Sequence, residues 1–162
     1  MTSQESLEVL ETIHRIAIER GLKIATAESL TAGMVASSLA TLSGSSAYFQ
    51  GGVAAYNLDA KVNILGVERK VAEACNCVSD EVALQMARGA RDLFGADCVI
   101  ATTGYAEPWP ESGVLKPFAF YVILYGDARK IVETDLSYLR RDDARKAIAL
   151  SALRDLAMML DT

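Results

Sequence analysis

Short apolar segments alternate with longer segments of helical periodicity along this chain. Residues 22–27 (LKIATA) and 96–104 (ADCVIATTG) are typical of short buried strands, and each is flanked by segments whose apolar residues recur every three or four positions. The predicted helices cover residues 5–20, 31–42, 59–66, 79–95 and about 142–160, with a short helical piece at 71–74. A strand is predicted over 52–57, after a Gly- and Ser-rich loop over 43–52.

Two further strands break the alternation near the end of the chain. Residues 118–126 and 129–137 are joined by a tight turn at Gly126-Asp127, which predicts an antiparallel hairpin. Alternating strands and helices with one late hairpin favour an α/β fold. The predicted architecture is a three-layer α/β/α sandwich with a mixed, mostly parallel sheet. A chain of 162 residues suits a single domain, residues 1–162, better than two.

Charge and hydropathy exclude two classes of partner. The formal net charge is −5 and Lys and Arg form no block, so the chain lacks the basic surface that nucleic acid requires. No apolar run approaches the roughly 18 residues of a membrane span. The N-terminal residues are polar and acidic, unlike a signal peptide. We therefore expect a cytoplasmic protein with neither a nucleic acid nor a membrane as partner.

Histidine and cysteine usage restricts the chemistry. His14 is the single histidine and is expected to pack on the first helix, so His-based hydrolase and zinc mechanisms are disfavoured. The three cysteines, Cys75, Cys77 and Cys98, fit neither a disulfide framework nor a zinc pattern. Cys98 is expected in a strand and the other two in a loop. A hydrolase built from this chain needs a base other than histidine.

Polar clusters follow three predicted strands, where open α/β sheets bind their ligands. These clusters are Glu28-Ser29-Thr31, Tyr56-Asn57 with Lys61 one turn later, and Thr102-Thr103-Gly104.

Each cluster has a structural and a functional interpretation. Ser29 lies at a strand-to-helix turn, where the N–H groups of residues 31–33 can stabilise an anion. The residues of this cluster alone favour the simpler interpretation, in which Ser29 or Thr31 caps the helix. Lys61 can act as a general base if burial lowers its proton affinity, but a solvated surface lysine is the common alternative. Tyr56 is a strand aromatic with its hydroxyl at the rim.

Serine, threonine and arginine side chains offer further contacts. Ser45 and Ser46 are typical turn formers, and the Thr103 hydroxyl can contact a ligand or cap a strand. Arg141 and Arg145, at the start of the last helix, are disfavoured there by the helix dipole. An anionic partner explains this placement, and so do ion pairs with neighbouring aspartates.

Taken together, these motifs resemble a known family. Residues 26–67, TAESLTAGMVASSLATLSGSSAYFQGGVAAYNLDAKVNILGV, are similar to the signature block of the CinA C-terminal domain family, which includes nicotinamide mononucleotide deamidases. VSDEVALQMARGARDLFGAD, TTGYAEP, KPFAFYVIL and RRDDARKAIALSAL resemble later motifs of that family, in the same order.

The resemblance implies metal- and cofactor-independent hydrolysis of nicotinamide mononucleotide to nicotinate mononucleotide and ammonia. It implies Ser29 as nucleophile, Lys61 as general base and Tyr56 as an aid to proton transfer. It implies that Ser46, Thr103 and Arg145 or Arg141 position the nucleotide. The remaining candidate substrate-binding residues are Thr31, Gly33, Ser45 and Gly104. Family members commonly form dimers, so a homodimer is also expected.

The chain departs from the family pattern at several positions. Leu30 and Ala32 replace a cysteine and a glycine, and EPWPESG (107–113) replaces a glycine-rich loop. Glu107 and Glu111 are expected to repel a nucleotide phosphate. Two alternatives follow, a non-catalytic ligand- or partner-binding protein and an amidohydrolase with a different small amide as substrate.

Overall fold

The computed structural model describes residues 4–162, so the first three residues of the predicted domain lie outside it. The helices are α1 (Gln4–Arg20), α2 (Met34–Leu39), α3 (Leu58–Leu65), α4 (Arg69–Ala74), α5 (Asp80–Phe94) and α6 (Arg141–Leu160). The strands are β1 (Ile24–Glu28), β2 (Phe49–Ala54), β3 (Cys98–Tyr105), β4 (Phe118–Tyr125) and β5 (Ala128–Asp135). Short 3₁₀ turns cover Ser45–Ala47 and Pro110–Ser112.

The five strands form one mixed sheet in the order β2-β1-β3-β4-β5. β1 pairs in parallel with β2 and β3, whereas β4 pairs antiparallel with β3 and β5. β4 therefore points opposite to its four companions in the described sheet. The predicted mixed sheet and its late hairpin are confirmed. The carboxyl ends of β1, β2 and β3 meet at one edge, which places the polar clusters side by side.

Helices cover both faces of the sheet. Ile24 and Ile100 pack in an apolar core with α1, α2 and α6, while Ala25 and Val99 pack in a second core with α3, α4 and α5. Successive strand residues point to opposite faces, so both cores depend on near-continuous apolar strands. The predicted three-layer arrangement is confirmed.

β2 begins earlier than the sequence predicts. Residues 49–51 were expected in a loop because Gly51 and Gly52 are typical turn residues, yet they belong to a strand paired with β1. A Cβ at Gly52 would lie 2.1 Å from Thr26 Oγ1 and 3.2 Å from Ala36 Cβ. Glycine is therefore required here by close packing rather than by a turn.

The single histidine and the cysteines lie as the sequence predicts. His14 packs edge-on against Tyr48, with ring centroids 5.5 Å apart. Cys98 is buried in β3, and Cys75 and Cys77 follow α4 as free thiols. Among residues 4–162, no helix combines the length and apolar character needed to cross a bilayer.

Candidate active site

Ser29 begins the turn that leaves β1 at the carboxyl edge of the sheet. Its N–H donates to the Thr102 carbonyl (2.9 Å), and its carbonyl accepts from the Ala32 N–H (3.0 Å). Ser29 is only 7% exposed. The turn therefore holds the hydroxyl in a fixed and largely dry position.

Lys61 reaches Ser29 from α3. The Asn57 side chain caps this helix by accepting from the Ala60 N–H (2.8 Å). Lys61 lies on the inner face of the helix and is 1% exposed. Its Nζ lies 2.9 Å from Ser29 Oγ and 2.9 Å from the Ala55 carbonyl oxygen. The buried amine is thus held between a serine hydroxyl and a backbone carbonyl.

Burial changes the protonation of this lysine. Removal from water lowers the pKa of Lys61 below its ordinary value, and the neighbouring Cys77 thiol opposes that shift. The neutral amine has a lone pair that can accept the Ser29 proton while one of its N–H groups donates to Ala55. The contact therefore has the geometry of a nucleophile and its general base.

The buried carboxylate of Glu28 caps the start of α2. It is 1% exposed and accepts hydrogen bonds from the Thr31 hydroxyl (2.7 Å) and from the N–H groups of Gly33 (2.9 Å), Val35 (3.1 Å) and Ala36 (2.8 Å). The Thr31 hydroxyl and the Gly33 N–H, two of the donors expected to face a substrate, are therefore already used by Glu28. A lone acid at the end of an apolar strand, a few residues before a helix, is the sequence signal for this arrangement.

Two backbone N–H groups beside Ser29 remain open. The N–H groups of Leu30 and Thr31 have no hydrogen-bond partner within residues 4–162. Arg145 donates from Nε to the Leu30 carbonyl (2.8 Å) and from Nη2 to the Thr31 carbonyl (3.3 Å). In a trans peptide the N–H points opposite to the preceding carbonyl, so the Thr31 N–H points away from Arg145. Arg145 thus holds the turn that presents these donors.

A chain of polar contacts, the 56–141–107 bridge, lies at the same edge. Arg141 donates from Nη2 to the Tyr56 hydroxyl (2.9 Å) and pairs through Nη1 with Glu107 (2.6 Å). Tyr56 is 56% exposed, and its hydroxyl makes no hydrogen bond to Ser29 or Lys61 among the described residues. Its predicted part in proton transfer stays a prediction.

The Thr103 and Gly104 positions serve packing. The Thr103 hydroxyl is buried and donates to the Cys77 carbonyl (2.8 Å). A Cβ at Gly104 would lie 2.5 Å from Ala119 Cβ and 2.7 Å from the Phe118 carbonyl oxygen. The close pairing of β3 with β4 therefore accounts for this glycine, and the Thr103 hydroxyl is already engaged by Cys77.

Ser45 and Ser46 lie at the opposite edge of the sheet. They precede β2, and the nearby Tyr48 carbonyl accepts from the N–H of Ile24, the first residue of β1. The length of β1, at about 3.3 Å per residue, separates them from Ser29 by roughly 15 Å. The structure does not bring these two serines into the Ser29 site within one chain.

A cavity of about 680 Å³ lies along the segment that connects β3 to β4. Tyr105, Phe118, residues 112–116 and residues 73–76 line it. It adjoins Cys77, whose carbonyl contacts Thr103, but neither Ser29 nor Lys61 lines it.

Comparisons with known proteins identify the family of this chain. A model of the CinA C-terminal domain matches residues 6–160 of this chain. The chain belongs to the CinA C-terminal domain family. A CinA-like protein of Mycobacterium marinum is 38% identical over 157 residues, which cover 94% of this chain and 36% of that protein. A CinA-like protein of Chlorobium limicola is 49% identical over 112 residues, which cover 69% of this chain and 26% of that protein.

The CinA-type chain thus spans about a quarter to a third of the length of these curated relatives. Solved structures match it over nearly its whole length. The competence/damage inducible protein CihA of Agrobacterium tumefaciens superposes with a TM-score of 0.87 at 29% identity, covering 100% of this chain and 99% of that one. The competence damage-inducible protein A of Klebsiella pneumoniae gives a TM-score of 0.88 at 26% identity, covering 96% and 97%.

The structure brings together only part of the site that the CinA resemblance implies. Ser29 and Lys61 are in hydrogen-bond contact, and Tyr56, Arg141 and Arg145 lie at the same edge. Both arginines are engaged with the protein itself rather than open to a ligand. The Thr31 N–H was among the predicted anion-stabilising donors, whereas the Leu30 N–H and the capping role of Glu28 were not predicted.

Proposed function

We propose that this CinA-type protein is an amidohydrolase that uses Ser29 and Lys61 to release ammonia from the carboxamide of nicotinamide mononucleotide or a close nicotinamide relative. The observation that carries the proposal is the 2.9 Å contact between Ser29 Oγ and the buried Nζ of Lys61. A lysine removed from water is a base that can replace the histidine missing from this site.

In the first half of the reaction, the neutral Lys61 amine takes the Ser29 proton as Oγ attacks the carboxamide carbon. The negative charge that develops on the amide oxygen is stabilised by the open N–H groups of Leu30 and Thr31. When the carbon–nitrogen bond breaks, the Lys61 ammonium gives its proton to the leaving nitrogen. Ammonia departs and an ester forms on Ser29.

In the second half, a water molecule attacks the ester carbon and Lys61 takes one of its protons. The carbon–oxygen bond to Ser29 then breaks, and Lys61 returns that proton to Oγ. The carboxylic acid formed in this step gives its proton to solvent and leaves as the carboxylate, which restores the starting site. The Ala55 carbonyl, 2.9 Å from Nζ, keeps the amine aimed at Ser29 in both halves.

The test is ammonia release from nicotinamide mononucleotide and from nicotinamide riboside by the purified full chain. We expect turnover by the parent and a loss of about a thousandfold or more in Ser29→Ala and in Lys61→Met. Lys70→Met removes an exposed lysine from α4 and serves as the matched control with parental activity. No ammonia from either compound, or full activity in both site variants, would contradict the proposal.

A non-catalytic ligand-binding protein is the second candidate, and the engagement of Arg141 by Glu107 favours it. For such a protein, nicotinamide compounds raise the unfolding temperature but release no ammonia, and Ser29→Ala leaves that rise unchanged.

A further inference from the structure

The two arginines that the resemblance implies as substrate-binding, and the donors at the start of α2, are already engaged by the protein. Glu28 uses the donors at the start of α2. Arg145 binds two backbone carbonyls and lies 3.8 Å from Asp142. Arg141 pairs with Glu107 at 2.6 Å. Of these three, the pair with Glu107 is the one between exposed side chains, so it is the contact that a ligand can compete for.

The 56–141–107 bridge crosses the end of β1. Tyr56 follows β2 and Glu107 follows β3, and β1 lies between these two strands in the sheet. Arg141, the first residue of α6, joins them, while Arg145 one turn later binds the residues directly after Ser29. Ser29 and the bridge therefore lie at the same edge of the sheet, where a substrate whose amide reaches Ser29 can place another part of itself beside the bridge.

The charge of the 56–141–107 bridge determines which chemical group of a substrate can lie beside it. The Glu107 carboxylate neutralises Arg141, so the bridge carries no net positive charge. A phosphate beside it must either displace Glu107 or lie next to another negative charge, and both reduce affinity. A substrate that carries no phosphate avoids both effects.

We propose that Glu107 determines specificity at this site by favouring nicotinamide-type carboxamides that carry no phosphate over the phosphorylated nucleotide. The proposal rests on the proposed function, because it takes Ser29 as the point at which the carboxamide binds. Nicotinamide riboside and nicotinamide mononucleotide differ only by the phosphate, so a comparison of the two compounds isolates the effect of the phosphate on binding.

Calorimetric binding in the Ser29→Ala background separates selection from catalysis. We expect nicotinamide riboside to bind about tenfold more tightly than nicotinamide mononucleotide, and Glu107→Gln to reduce that ratio by about tenfold. Glu111→Gln makes the same charge change in the same segment, with no ion pair to Arg141, and should leave the ratio unchanged.

Three results would overturn the proposal. One is a ratio that Glu107→Gln does not change, and another is an equal change in Glu111→Gln, which would show a general charge effect. The third is absence of binding by either compound. Ammonia release by the Ser29-containing protein tests the proposed function separately, since selective binding without turnover would contradict that function and leave the role of Glu107 standing.

Discussion

The Ser29–Lys61 pair and the 56–141–107 bridge lie at the same edge of the sheet but differ in burial. Lys61 is 1% exposed, whereas the side chains of Arg141 and Glu107 are 48% and 59% exposed. In the dry environment of the pair, burial alone lowers the pKa of an amine. In the wet environment of the bridge, an ion pair adds little to stability.

The comparison separates two tasks. In the proposed reaction, the buried pair supplies reactivity because its groups are fixed and desolvated. The exposed bridge sets the charge that an approaching molecule meets. Substitutions in the pair should therefore change the rate of the chemical step, and substitutions in the bridge should change which substrate binds. The following experiments test this division, from the largest expected effect to the smallest.

Ser29 and Lys61 should act as one unit. We expect each of Ser29→Ala and Lys61→Met to reduce kcat by roughly a thousandfold, and the double variant to be no slower than the worse single variant. Steady-state ammonia release measures all three. Multiplicative losses in the double variant would show that the two side chains act independently.

Glu28 and Glu107 should differ sharply in how much their side chains contribute to the stability of the protein. Glu28→Gln replaces a buried acceptor of four hydrogen bonds and should lower the free energy of unfolding by about 3 kcal/mol. Glu107→Gln makes the same chemical change at an exposed site and should cost less than about 1 kcal/mol. Urea unfolding gives both values, and equal costs would remove the distinction between buried and exposed regions.

Arg145 belongs with the buried pair rather than with the bridge. Its loss frees the turn that presents the Leu30 and Thr31 N–H groups, so Arg145→Met should lower kcat by about tenfold to a hundredfold with little change in KM. Arg154→Met, on the same helix but paired with Glu5, is the matched control. A rise in KM for the phosphorylated substrate at constant kcat would instead assign Arg145 to phosphate binding.

The pH dependence should report the Lys61 amine. Because the neutral form is the base, kcat/KM should rise by up to about tenfold per pH unit and level off below pH 10.5, the ordinary lysine value. Between the lowered pKa and the ordinary one, the unfolded chain binds more protons than the folded chain. The parent should therefore gain stability relative to Lys61→Met as the pH rises through that window. If the free energies of unfolding of the parent and Lys61→Met changed in parallel with pH, the Lys61 amine would be exposed to water in the folded protein.

Local patterns predicted the elements that position the site. Ser79 accepts from the Val82 N–H (3.1 Å) at the start of α5, as an N-cap residue before an amphipathic segment should. The Gly126-Asp127 turn joins β4 to β5 as predicted. Such features depend on neighbours in the sequence, so single residues and periodicity suffice to predict them.

Distant contacts could not be predicted in the same way. The sequence places Thr31 and Gly33 at a helix start, but the occupant of their donors, Glu28, depends on which face of β1 meets α2. Ser45 and Ser46 follow Ser29 closely in sequence, yet α2 carries the chain back across the sheet to the other edge. The direction of a connecting segment, not sequence distance, decides these cases.

The alternation of strands and helices by itself determined the layered α/β fold and the edge at which Ser29 and Lys61 meet, because hydrophobic periodicity fixes which faces are buried. Only the tertiary structure decided that Lys61 points inward to Ser29 Oγ and that Glu107 engages Arg141. Those outcomes depend on burial and on side chains contributed by separate segments, which compete for the same charged groups once the chain has folded.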